Sequence, residues 1–288
     1  MGNILENIKP REATLDRWNA YVVADFGTGD LAFAEVAAKL RAKHGGLSAE
    51  KISVPPFSTL STGFVIRQLG IEGAYPGMII YSNTAPRGTP EAIRWEGDER
   101  QRLLFAVLKT GVPVVAISTG FNWSFVKDEI AIDGAEPAFF DLNIPNTGSQ
   151  FRSRDLYPEA LARILARDVS ILGPRIRPDQ IPNVPLNCIA YIDGYGNIKT
   201  TTRRSQFPQS LQQSRYLQVR IGSAKNVAYN LLSGMEAGIE DIGITAGSSG
   251  GEDPYIEIYK RGGSAAYSFG SPMIYDTREA IEFTPLNI

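Results

Sequence analysis

A proline-rich stretch divides this chain into two different kinds of hydrophobic pattern. Gly173-Pro-Arg-Ile-Arg-Pro-Asp-Gln-Ile-Pro-Asn-Val-Pro185 holds four prolines, and proline interrupts both helices and central strands. Before it, short β-branched runs alternate with helical periodicity. After it, only short strand-like segments occur. The expectation is an α/β domain over residues 1–174, a linker over 175–185, and a smaller all-β domain over 186–288.

In the first part, Ala20–Ala24 reads as a buried strand ending in Asp25-Phe-Gly-Thr-Gly-Asp30. Leu31, Ala34 and Ala38 then recur at helical spacing, and Gly45-Gly46 ends the helix at Lys43. Strands are expected at Lys51–Val54, Met78–Tyr81 and Val112–Ile117. Helices are expected at Ser61–Leu69, Asp98–Leu108 and Pro158–Arg167. Such alternation predicts a largely parallel sheet, with a ligand site beyond the carboxyl ends of its strands. In the second part, strands are expected at Cys188–Ile192, Ile198–Thr202, Leu217–Ile221, Ile242–Ala246 and Tyr255–Tyr259, as in a small barrel or sandwich.

Composition narrows the chemistry. The chain has 288 residues, 29 Lys plus Arg against 31 Asp plus Glu, one histidine and one cysteine. A net charge of −2 disfavours bulk binding to nucleic acid or anionic membranes. A His-dependent triad requires His44, a Cys–His dyad requires His44 and Cys188 together, and the common His/Cys zinc sites are excluded. No disulfide can form within the chain. The N-terminus shows no apolar leader, and no apolar run approaches membrane-spanning length. A cytoplasmic location is the expectation. Chemistry then falls to carboxylates, hydroxyls, amides and arginines.

Several segments admit both a functional and a plain structural reading. Asp25–Asp30 fits a ribose-binding loop, and equally a strand–helix turn capped by Asp30. Asp193 and Asn197, in Ile192-Asp-Gly-Tyr-Gly-Asn-Ile198, fit a ligand amine and base edge, and equally a hairpin turn. Phe151-Arg-Ser-Arg-Asp155 groups charges before a helix. Gly247-Ser-Ser-Gly-Gly251 is a flexible loop or a nest of N–H groups. Cys188 reads as inert core and His44 as a surface residue at a helix end.

Taken in order, these segments resemble one known family, the S-adenosyl-L-methionine (SAM) hydroxide adenosyltransferases and SAM-dependent halogenases, the fluorinase and chlorinase group. Ala24-Asp-Phe-Gly-Thr-Gly-Asp30 resembles its opening D-F-G or D-L-G loop. Gln150-Phe-Arg-Ser-Arg-Asp-Leu-Tyr-Pro158 resembles its central F-H-G-R-D or F-Y-S-R-E segment. Ile189–Thr201 resembles its D-x-F-G-N signature, and Tyr255–Phe269 its closing segment. The resemblance spans nearly the whole chain, and its strength is collinearity.

The resemblance implies a Rossmann-like first domain, a β-barrel-like second domain, and a homotrimer with sites at subunit interfaces. It implies SAM as substrate, with no other cofactor and no metal. Nucleophilic substitution at C5′ would release methionine and either adenosine or a 5′-substituted adenosine. By position, Asp25 would hold the ribose hydroxyls. Asp30, Asp193 and Ser249 would contact the methionine moiety. Asn197, Gly263 and Ala265 would read adenine, and Phe64 is an available aromatic beside Phe57 and Tyr81. Ser153, Arg152 and Asn83 would lie near the nucleophile. Ser153 aligns with the halide-contacting serine, whereas Asn83 and Arg152 stand where hydroxide-using members carry Asp and His. Arg87 or Arg94 would take the place of that set's arginine.

Overall fold

The computed structural model describes residues 4–9, 17–27, 29–84, 102–134, 136–145, 149–234, 236–274 and 280–286. The chain forms two compact units, Met1–Asn183 and Val184–Ile288.

In the first unit, a seven-stranded sheet is built from β1 (Trp18–Ala24), β2 (Leu47–Ser53), β3 (Met78–Asn83), β4 (Leu103–Val107), β5 (Pro113–Ile117), β8 (Phe139–Leu142) and β9 (Leu172–Ile176). A two-residue-per-strand hairpin, β6 (Ile132–Asp133) and β7 (Glu136–Pro137), stands apart. The sheet order is β2-β1-β3-β5-β4-β8-β9. The pairs from β2 to β5 are parallel, and those from β5 to β9 are antiparallel. The expected largely parallel sheet is therefore a mixed one.

The helices are α1 (Leu31–Lys43), α2 (Thr59–Arg67), continued by one π turn over Gln68–Glu72, α3 (Arg152–Asp155) and α4 (Tyr157–Leu165). Helix α1 starts where a carboxylate caps it: Asp30 accepts the Ala32 N–H at 2.7 Å. Its inner residues Val36 and Leu40 join Ala160, Leu161 and Ile164 of α4 over one face of the sheet, against Ala20, Val22, Ile79 and Phe105.

The helix expected over Asp98–Leu108 is not formed. Leu103–Val107 is a strand whose every residue is buried, paired with β5 on one side and β8 on the other. An apolar run of that length carries no period to separate a buried strand from a buried helix; Asp98 lies outside the described residues. The proline-rich boundary is also shorter than expected, since Leu172–Ile176 is the sheet's last strand. Pro174 is compatible with that edge because an edge strand leaves one row of N–H groups unneeded.

The second unit is a single sheet of β10 (Ile189–Ile192), β11 (Ile198–Arg203), β12 (Tyr216–Ile221), β13 (Ala224–Asn230), β14 (Ile242–Ala246), β15 (Tyr255–Lys260) and β16 (Ile281–Leu286). Its order is β10-β11-β15-β14-β13-β12-β16, antiparallel except between β13 and β14. The two ends of the sheet meet at one bridge, Cys188 to Ala280, beside an Ile281 N–H donating to the Asn187 carbonyl. Short helices α5 (Gln209–Gln213) and α6 (Ala265–Ser268) accompany it. Ala265 and Phe269 enter the core with Ile198, Leu217, Ile244 and Ile256. Cys188 is buried in that strand region, and burial pushes its thiol pKa up.

Candidate functional site

The order β2-β1-β3 reverses direction beside β1, so the connections leaving β1 and β3 diverge to opposite sides. Open α/β sheets place a crevice there, outside the carboxyl ends of the strands. A cleft of about 640 Å³ occupies this position. Asp25 and Phe26 come from the end of β1, Asp30 from the α1 cap, Phe57 from the loop after β2, Asn83 from the end of β3, and Arg152 and Ser153 from α3.

Long-range contacts hold these segments. The Asp25 carboxylate accepts the Phe57 N–H at 3.0 Å. Phe57 has φ 62°, a left-handed conformation rare for a bulky residue; the turn that strains it points its N–H at Asp25. Phe26 and Phe151 meet edge to face, with ring centroids 6.0 Å apart. The fully buried Tyr81 of β3 donates its hydroxyl to the Ser153 carbonyl, and burial holds that phenol well above its usual pKa.

The segment before α3 is braced by charge. Ser149 donates to Asp155 and accepts the Phe151 N–H. Arg154 pairs with Asp155 at 2.7 Å and with Glu35 of α1 at 3.4 Å. Arg154, helped by Ser149, holds the Asp155 carboxyl down at about 2. Arg152 instead lies over the Tyr157 ring, 5.5 Å from its centroid. Burial raises the Tyr157 pKa, and the neighbouring Arg152 opposes that rise.

Five of the candidate residues therefore share one cleft: Asp25, Asp30, Asn83, Arg152 and Ser153. Phe64 does not line it. Its ring is buried on α2 against Phe125, 6.1 Å away edge to face, because an apolar helix face packs on the sheet in preference to a hydrated cleft. Arg87 and Arg94 lie outside the described residues. Gln150, Phe151 and Tyr157 also line the cleft, and their one sequence signal is their neighbourhood to Arg152. The Pro55-Pro56 pair before Phe57 is a turn signal.

The remaining candidates lie in the second unit. Asp193 accepts the Tyr195 and Asn197 N–H groups on one oxygen, and the Asn197 amide on the other at 3.0 Å. Lys199 approaches it at 3.7 Å. The hairpin reading thus describes what these side chains do in the structure. The turn rests on the α6 cap: Ala266 donates to the Gly196 carbonyl at 2.9 Å, and a Cβ on Gly196 (φ 81°) would collide with Ser264. The Asp193–Asn197 turn and the Ser264–Ala266 segment accordingly meet through Gly196. Ala265 contributes its side chain to the core. Ser249 is buried in the loop after β14, where its carbonyl accepts the Tyr255 N–H. Among the described residues, no group of His, Cys, Asp or Glu could hold a metal, and no helix is long and apolar enough to cross a membrane.

The Tyr81 contact supplies a first prediction. Tyr81→Phe leaves the Ser153 carbonyl without its donor, and unfolding in urea should show a loss of about 1–3 kcal/mol. A loss below about 0.5 kcal/mol, the scatter of neutral substitutions, would contradict this bracing role.

No protein-family model matches this sequence, and no curated protein is significantly similar to it. Solved structures do resemble it. An "uncharacterized conserved protein" from Thermotoga maritima superposes with a TM-score of 0.68 at 15% identity, covering 92% of this chain and 100% of that one. A "conserved hypothetical protein" from Thermus thermophilus gives 0.61 at 18% identity, covering 93% and 100%. At this identity the likeness establishes the fold, a two-domain α/β architecture of two mixed sheets.

Proposed function

We propose that this protein binds SAM and displaces methionine from C5′ of its adenosyl group. The observation that carries the reading is the convergence of two distant family-like segments, Asp25–Asp30 and Gln150–Ser153, on one cleft at the carboxyl ends of the strands. The meeting of the Asp193–Asn197 turn with the Ser264–Ala266 segment adds support. In this reading Asp25 orients the ribose, and the base-reading backbone near Gly263–Ala265 comes from a neighbouring subunit. The protein is a homotrimer whose sites are completed by a neighbour, its second unit barrel-like as in the resembled family.

The chemistry suits such a site. A nucleophile forms its bond to C5′ while the C5′–S bond breaks, and the bonding electron pair leaves on sulfur. Methionine departs as a neutral thioether, so no acid has to protonate it. With water, the attacking oxygen also gives up a proton and the product is adenosine; with halide, it is the 5′-halo compound. Rate then comes from alignment opposite sulfur and from partial desolvation of the nucleophile.

A second reading, SAM or adenosine binding without turnover, is favoured by Asn83 and Arg152. Both line the cleft, and neither an amide nor a permanently protonated guanidinium accepts a proton from water at neutral pH.

Incubation with SAM, followed by separation of products, tests both readings. Methionine with adenosine or a 5′-halo-adenosine is the expected result. Binding by calorimetry without products establishes the second reading. Neither binding nor products, across common anions and pH, overturns both.

A further inference from the structure

Two arginines two residues apart at the cleft have opposite surroundings. Arg154 is matched by the carboxylates of Asp155 and Glu35. Arg152 has no ion-pair partner among the described residues. Its Nε is shut away from solvent with no hydrogen-bond acceptor, although its side chain lines the cleft. Its one close aromatic neighbour is the face of Tyr157, which stabilises a cation and accepts no planar hydrogen bond.

A guanidinium keeps its charge at every relevant pH, so this is a permanent cation with an unused donor. Neither cleft carboxylate pairs with Arg152: Asp25 accepts the Phe57 N–H on one oxygen and Asp30 accepts the Ala32 N–H. With Nε closed off, the part of the side chain left to a ligand in the cleft is its Nη end, whose two nitrogens match the paired oxygens of a carboxylate or phosphate. We propose that Arg152 makes this cleft an oxyanion site, whose ligand presents a carboxylate or phosphate group to the guanidinium. The inference goes beyond the displacement reaction and stands without it, because the anion itself is the ligand.

The oxyanion is either free or carried by a larger ligand, and calorimetry separates these sources. Sodium phosphate and sodium formate are titrated alone, then SAM and adenosine, into wild type, Arg152→Gln and the exposed control Arg204→Gln. Phosphate or formate binding that falls at least about tenfold in R152Q, and stays level in R204Q, supports a free anion. A tenfold fall for SAM with unchanged adenosine affinity supports a ligand-borne carboxylate, and would move the methionine carboxylate from Asp30 and Asp193 to Arg152. R152K, which keeps the charge and loses the planar edge, should lie between and serves if R152Q unfolds. Equal affinities in wild type and variants, or no binding of any probe, overturn the proposal; absence of SAM turnover does not bear on it.

Discussion

Asp25→Ala is expected to weaken adenosine and SAM binding by about 1.5–3 kcal/mol, roughly ten- to 150-fold in Kd, if the carboxylate holds the ribose as proposed. The magnitude is that of one hydrogen bond to a charged acceptor, and so a lower bound for a carboxylate that receives both hydroxyls of a vicinal diol. Asp25 sits half-buried at the end of β1 with one oxygen already fixed by the Phe57 N–H at 3.0 Å, so the carboxylate is oriented before a ligand arrives. Alanine also leaves that N–H without its acceptor, in a residue whose φ of 62° depends on the turn. Asp25→Asn separates the two losses, because an amide oxygen still accepts from Phe57 while the charge is gone. Calorimetry with adenosine is the measurement. Unchanged affinity in both variants would refute the ribose role.

Phe105→Ala should cost about 3–5 kcal/mol of stability, the range for emptying a fully buried aromatic site. Phe105 is 0% exposed in β4, opposite Val115 of β5 and Phe140 of β8. Neighbours on both sides are held by ladders, so the space cannot collapse and remains a cavity. Such a loss is a third or more of the stability of many domains. Leu31→Ala is the matched control: Leu31 is 75% exposed at the start of α1, and its loss should stay within about 0.5 kcal/mol. Urea unfolding followed by circular dichroism reads both. A loss below about 1 kcal/mol at Phe105 would show that the Leu103–Val107 strand is not packed as an interior strand of that sheet.

These two residues mark where pattern reading succeeds and where it stops. The β1–loop–α1 segment is legible in the sequence, including its end at Lys43 and the Asp30 cap, because a short β-branched apolar run gives way to period 3.6 across two glycines. Most strands of the second unit are legible as short apolar runs bounded by turn residues, and β12 alternates between buried and half-buried positions as well. β4 is not: like β3 and β5 it is buried on both faces and has no alternation, and Asp98 ahead of it reads as a helix start. β9 and β16 are hidden by Pro174 and Pro285, which signal an interruption in one dimension and an edge position in three. β13 is hidden by its weak apolar alternation.

The site divides in the same way. Local sequence is enough to place Asp25 and Asp30 at a strand–helix turn and Asp193 and Asn197 in a hairpin, since those geometries depend on residues within a few positions of each other. Tertiary structure decided that Phe64 belongs to the core and that Tyr81 braces Ser153. It also decided between two arginines that look alike in the sequence. Arg154 meets Glu35 because α1 passes beside it, while Arg152 faces the cleft and the Tyr157 ring. Pairing of a charge is set by which distant element arrives next to it, and no local pattern carries that information.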